Sequence, residues 1–287
     1  MNARKKRIQA EQKLYNIQQG KIIKPDVYGH HKRPPVAKKN FADDQDDEFF
    51  EGDDQMLDSD AIAAANYLIK INPKSTIPAC FIHQIYSILP NRNTLTDREL
   101  QKAFVDGSWR KFHIIGALDD EYILMKTLDY CNMIDHAKQK CAIEGDVSIY
   151  DKFKHAIMHD SGYNQVSITK ETLVESCHFS EQNISQLVAS GLLIPHHIQM
   201  GVFWFSVHNQ GSFMSSLSNG RLQILRILKR RSTKDIMEKL LKQKKLNKSS
   251  FGMEFLMHDL IGSGRVERFA TAMGDLIRLT NKGEKGI

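Results

Sequence analysis

Cysteine is scarce, with four residues at positions 80, 131, 141 and 177 scattered through otherwise well-patterned segments. That argues against a disulfide framework and for reduced thiols in an intracellular protein. No apolar run approaches the roughly 18 residues that suggest a membrane span. The opening Met1-Asn-Ala-Arg-Lys-Lys-Arg7 has no apolar stretch behind it, so no secretory signal peptide is expected. The parts of a phosphoryl-transfer site are missing as well. There is no G-x-G-x-x-G loop and no Asp-Phe-Gly. His258-Asp259-Leu260 superficially matches a kinase catalytic loop, but the intervening arginine and the downstream asparagine are absent.

Metal chemistry is equally poor in candidates. Cys131, His136 and Cys141 sit five residues apart on an expected helix, a spacing that puts them on different faces. His155 and His159 are one turn apart but need two further ligands. His196 and His197 lie near an expected hairpin, where they could touch a phosphate. No Ser-His-Asp arrangement can be assigned. No cofactor, metal or small-molecule substrate is expected, and the chain reads as a non-enzyme.

Charge is what the sequence has, and it is segregated. Of the formal net +6, residues 1–40 contribute +9, residues 41–60 contribute −10, residues 61–209 contribute −2 and residues 210–287 contribute +9. Such blocks point to partners rather than to fold. Basic ends suit a polyanion. Arg4-Lys-Lys-Arg7, His31-Lys32-Arg33 and Lys38-Lys39 suit nuclear import, DNA contact, or both. The acidic string from Asp43 to Asp54 holds two aromatics, Phe49 and Phe50, as candidate partner-binding residues. The blander reading is a charged spacer.

Residues 1–56 are polar and proline-interrupted, and are expected to form a disordered tail, basic and then acidic. Beyond them an internal pattern repeats three times. A short amphipathic helix ends at a glycine. A β-like run follows, then a second glycine and another β-like run. The glycine pairs are Gly107 and Gly116, Gly191 and Gly201, and Gly264 and Gly274, separated by 9, 10 and 10 residues. The first of each pair fits a left-handed C′ position and the second a hairpin. Helices precede each motif. The expected ones are Phe81 to Leu89 and a helix opened by a Thr96-Asp-Arg-Glu99 capping box, then Ile149 to Met158, Glu171 to Cys177 and a helix capped at Ser180. The last group is Leu222 to Leu228, Ile236 to Leu241 and a helix from Ser249. Helix, short strand, helix, helix and hairpin is the order of a winged helix.

The fold expected is therefore α+β, mostly helical, with three tandem winged-helix domains after a disordered N-terminal tail. The expected boundaries are 1–56 for the tail, 57–145 for the first unit plus a linker helix, 146–209 for the second, 210–281 for the basic third and 282–287 for a short tail.

From about residue 60 to 280 the chain resembles the serine/threonine-protein kinase 19 family, also called winged-helix repair factors. Ile85-Tyr-Ser-Ile-Leu-Pro90, Leu187-Val-Ala-Ser-Gly-Leu-Leu193, His258-Asp-Leu-Ile-Gly262, Gly220-Arg221 and Leu276-Ile-Arg-Leu279 carry the resemblance. It implies three winged helices, DNA binding, a nuclear and chromatin location, and a role in transcription-coupled nucleotide excision repair with partners that include TFIIH. A kinase, as the family name states, and a winged-helix protein–protein adaptor without DNA binding are the rival readings.

The residues themselves favour DNA. Arg221, Arg226, Lys229, Arg230, Arg231, Lys244, Lys245 and Lys248 are the candidate DNA-binding side chains. In Arg221 to Arg231, Ile224, Leu225, Ile227 and Leu228 make the buried stripe, which leaves Arg226 and Arg230 opposite it, one turn apart. The helix that normally enters the major groove carries Glu254 and Asp259 and no arginine or lysine. Double-stranded DNA is thus expected to be held by its backbone, with little sequence preference.

Overall fold

A computed structural model describes residues 59–115, 120–141, 146–247 and 249–286. The N-terminal tail, with Phe49 and Phe50, lies outside the described residues, as do Lys248 and the tip of the first hairpin at 116–119.

The chain is mixed α and β, built on three small antiparallel sheets. The first repeat runs α1 (Asp60–Lys70), β1 (Cys80–Phe81), α2 (Ile82–Ile88), α3 (Asn93–Val105), β2 (Trp109–Ile114) and β3 (Glu121–Lys126). A further helix, α4 (Thr127–Cys141), follows it. The second runs α5 (Ser148–His159), β4 (Ser167–Thr169), α6 (Lys170–Cys177), α7 (Glu181–Ala189), β5 (Leu193–Pro195) and β6 (Val202–Phe205). The third runs α8 (Gln210–Lys229), β7 (Asp235–Met237), α9 (Glu238–Lys242), α10 (Met253–Gly262), β8 (Val266–Thr271) and β9 (Gly274–Leu279). A last helix, α11, spans Asn281–Lys285. In each sheet the final strand is central: β1-β3-β2, β4-β6-β5 and β7-β9-β8.

Turn chemistry sets these elements locally. Gly107, Gly191 and Gly264 have φ of 71°, 74° and 69°, the left-handed C′ positions that their places in the sequence predict. At the second, the Gly191 N–H donates to the Val188 carbonyl and the Leu192 N–H to the Leu187 carbonyl. Gly264 and Arg265 repeat that pair with Ile261 and Leu260. The Ser180 capping box also forms, with the Asn183 N–H donating to the Ser180 hydroxyl.

Three local expectations fail. Thr96 does not open a helix. Asn91, at φ 66°, turns the chain early, α3 begins at Asn93, and Thr96 is buried inside it. Ile236 is not helical, because Asp235–Met237 is captured as an edge strand, with Ile236 opposite Ile277. Residues 282–286 are not a loose tail. Thr280 caps α11, and Gly283 lies so close to the Arg265 carbonyl that a Cβ would meet its oxygen at 2.2 Å. The third leading helix is also longer than expected. Its Ser- and Gly-rich first half is held by Phe213, Leu217 and Gly220, which continue the buried stripe of Ile224, Leu225 and Leu228.

The described residues, from 59 onward, form one compact unit, and the repeats pack directly on each other. Buried Arg110 on β2 donates to the Ile157 carbonyl at 2.5 Å and to the Tyr163 carbonyl. The Tyr130 hydroxyl donates to the Ser206 carbonyl at 3.1 Å. α10 lies against α2, where the Gln84 side-chain amide donates to the Phe255 carbonyl at 3.0 Å. Cys80, Cys131 and Cys177 are free thiols, and burial pushes the first two above the usual thiol range.

Candidate nucleic-acid interface

The apolar stripe of α8 turns Arg226, Lys229 and Arg230 outward, and all three are exposed at its C-terminal end. Cations there complement the helix dipole. Arg231 follows, also exposed. Beyond β7 and α9, Lys244 and Lys245 stand exposed in the connection to α10. That connection is tied back to α8. The Asn247 N–H donates to the Gln223 side chain at 3.1 Å, and the Ser250 N–H to the Ser216 hydroxyl at 2.9 Å. The structure thus brings both basic groups onto one scaffold.

None of Arg226, Lys229, Arg230, Arg231, Lys244 and Lys245 forms a salt bridge among the described residues. Their neighbours are different. Lys234 pairs with Glu284, and Lys242 with Glu238 at 3.0 Å. Guanidinium and ammonium groups left unpaired carry donors and no acceptor, which suits phosphate oxygens.

Arg221 departs from its expected role. Its side chain is only 12% exposed. Its guanidinium donates twice to Asp259, each at 2.6 Å, and once to Glu121 at 2.9 Å. Arg265 reaches the same Glu121 at 3.3 Å, and His83 bonds Asp259 at 2.9 Å. Burial by itself would raise the Asp259 carboxyl, but Arg221 and His83 outweigh it and hold the group well below the usual carboxylate range. The network joins α2, β3, α8 and α10. Sequence reading missed it, since its members lie as far apart as 176 positions.

The same contacts explain His258-Asp259. Asp259 is fully buried in an ion pair, and the His258 ring bonds the Ser87 hydroxyl at 2.8 Å. Burial and then nearby Arg268 push the His258 ring below its ordinary value.

The helix in the recognition position proves to be occupied. Phe255, Leu256, Met257, Asp259 and Leu260 of α10 are all buried. Its far end meets α2 so closely that a Cβ on Gly262 would lie 1.8 Å from the His83 carbonyl oxygen. Within α10 only Glu254 is exposed, while Met253, His258, Ile261 and Gly262 are half-buried.

The remaining candidates stay apart. The rings of His155 and His159 face each other at 4.5 Å, and His196 stacks on His197 and on Trp204. Among the described residues no group of three or more His, Cys, Asp or Glu side chains is placed to hold a metal ion. Nor is any described helix long and apolar enough to cross a membrane.

Helices and three small antiparallel sheets, with cations free of salt bridges among the described residues gathered near the last, make a mixed α/β protein, an architecture that fits the winged-helix name its relatives carry. The chain belongs to the family described as inactive serine-threonine protein kinase 19, whose model matches residues 55–279. It is similar to three proteins named winged helix repair factor 1. The one from Dictyostelium discoideum is 28% identical over 230 residues, covering 68% of this chain and 58% of its own length. Those from Xenopus laevis and Homo sapiens are 28% and 26% identical, covering 77% and 76% of this chain and 84% and 85% of their own.

Proposed function

We propose that the chain is a non-enzymatic factor that binds double-stranded DNA through its backbone and acts in transcription-coupled nucleotide excision repair in the nucleus. It consists of three tandem winged-helix units, at 57–145, 146–209 and 210–281. The third unit grips DNA with Arg226, Lys229, Arg230, Arg231, Lys244, Lys245 and Lys248, and the other surfaces dock stalled transcription and repair complexes. TFIIH is the partner it places on DNA, and Phe49 and Phe50 of the acidic tail are the partner-binding aromatics.

The observation that carries this reading is the set of exposed, unpaired cations on α8 and on the connection tied to it. The names of the relatives support the repair context. Phosphotransfer has no support in the residues. Asp259, the carboxylate of the kinase-like His258-Asp259-Leu260, is fully buried and held by Arg221 and His83.

Binding to random-sequence duplex as a function of salt tests the proposal. Six or seven cations on phosphates give a slope of log K against log salt near −5 to −6, at about 0.9 per contact. A salt-independent affinity, or none at low salt, would leave the protein–protein adaptor as the better reading.

A further inference from the structure

The amino end of α10 faces a cleft of about 480 Å³ lined by both the first and the third repeats. The first contributes Asn72, Pro73 and Lys74 from the connection after α1, and the third contributes Lys244, Ser249 and Ser250. Among the described residues no carboxylate lines it. The nearest acid on α10, Glu254, belongs to the neighbouring cleft, where it accepts from the Tyr67 hydroxyl at 3.1 Å and lies 3.9 Å from Lys242. α10 has ten residues, begins after Gly252 and has no side-chain cap, so its first-turn N–H groups carry the positive end of the helix dipole without a local acceptor.

Asn72 supplies an independent observation. It is 6% exposed, yet its amide nitrogen has no hydrogen-bond partner among the described residues. A buried donor without an acceptor is unfavourable in a folded chain, and native structures keep few of them. Asn72 itself lines the cleft, and a rotation about its Cβ–Cγ bond, which leaves the backbone unchanged, is what would present this N–H to a ligand there.

We propose that this cleft is a phosphate site, and that its occupant is a backbone phosphodiester of the bound duplex. Asn72 and the α10 first turn supply neutral N–H donors. Lys74 and Lys244 supply charge, and Ser249 and Ser250 line the wall. The first repeat thereby takes part in DNA binding without inserting a helix into a groove, and it fixes the third repeat's register on the duplex. The identity of the occupant rests on the DNA-binding reading above. The anion site itself does not.

The test uses the full chain with Asn72→Leu and Lys74→Ala made separately. Affinity for a random duplex is measured across salt concentrations. The thermal midpoint is measured with inorganic phosphate against chloride at equal ionic strength. Asn72→Leu is expected to weaken duplex binding about tenfold, as for a lost hydrogen bond to a charged group, with its salt slope unchanged. Its midpoint without ligand should hold or rise, since an unpaired buried donor has been removed. Lys74→Ala is expected to make the slope shallower by about 0.9. If Asn72→Leu lowers the midpoint, the exposed Lys74→Ala decides alone. Duplex binding by the parent chain that neither variant alters overturns the site. Should the parent chain not bind duplex at all, the DNA-binding reading fails, and the phosphate arm then decides for the cleft. Stabilisation of the parent chain and of neither variant supports it, and any other result overturns it.

Discussion

Arg221 and Asp259 form a two-pronged ion pair, Nε to Oδ2 and Nη2 to Oδ1, both at 2.6 Å, with the carboxylate fully buried between α8 and α10. The arginine's remaining reach extends to Glu121 of β3. A side chain that the charge pattern assigns to DNA therefore holds the first repeat to the third.

Removing the carboxylate leaves that guanidinium buried and half-paired. Asp259→Asn is expected to cost about 3–5 kcal/mol in urea unfolding, with little direct effect on duplex affinity where the protein stays folded. The pH dependence should change with it. The folded carboxyl lies below its unfolded value of about 3.9, so its contribution is present above that pH and is lost as pH falls below about 4. Asp259→Asn should flatten the acid limb of the stability profile. An unchanged acid limb would show that the pair contributes nothing there.

Two glycines on neighbouring turns make a paired comparison. Gly264→Ala meets no atom within 4 Å but must hold φ near 69°, at a cost of about 1–2 kcal/mol. Gly262→Ala has no such backbone strain, but its methyl lands on the His83 carbonyl. Separating α2 from α10 should cost at least about 3 kcal/mol. Equal effects in thermal unfolding would mean that the two helices part easily.

Reversing Arg226, Arg230, Lys244 and Lys245 to Glu is expected to abolish duplex binding while circular dichroism stays that of the parent chain. All four side chains are exposed and outside the ion-pair network, so folding should not depend on them. Unchanged affinity at matched salt would remove this face from the proposed interface.

Sequence preference should be small. With α10 packed on α2, the helix in the recognition position of the third repeat is not free to read base edges. Scrambled and natural duplexes are expected to bind within about tenfold of each other. A selection that returns a defined consensus would contradict the packing argument.

The sequence by itself determined the local punctuation. Gly107, Gly191 and Gly264 announce helix ends because a left-handed C′ backbone is cheap only without a Cβ. The hairpins are legible because glycine spacing and β-branched or aromatic runs are properties of neighbouring residues. The Ser180 cap is legible for the same reason. The outward placement of Arg226 and Arg230 follows from a helical period that any apolar stripe imposes. Tertiary structure decided the rest. It captured Asp235–Met237 as a strand by offering β9 as a partner, and it held residues 210–220 in a helix against weak local propensity by burying Phe213 and Leu217. It also separated Arg221 from Arg226, two arginines alike in sequence, into a buried strut and a free cation. The charge of a side chain is written in the sequence. Whether that charge meets a carboxylate or water depends on which distant residues, Asp259 and Glu121 among them, the fold brings within hydrogen-bond reach.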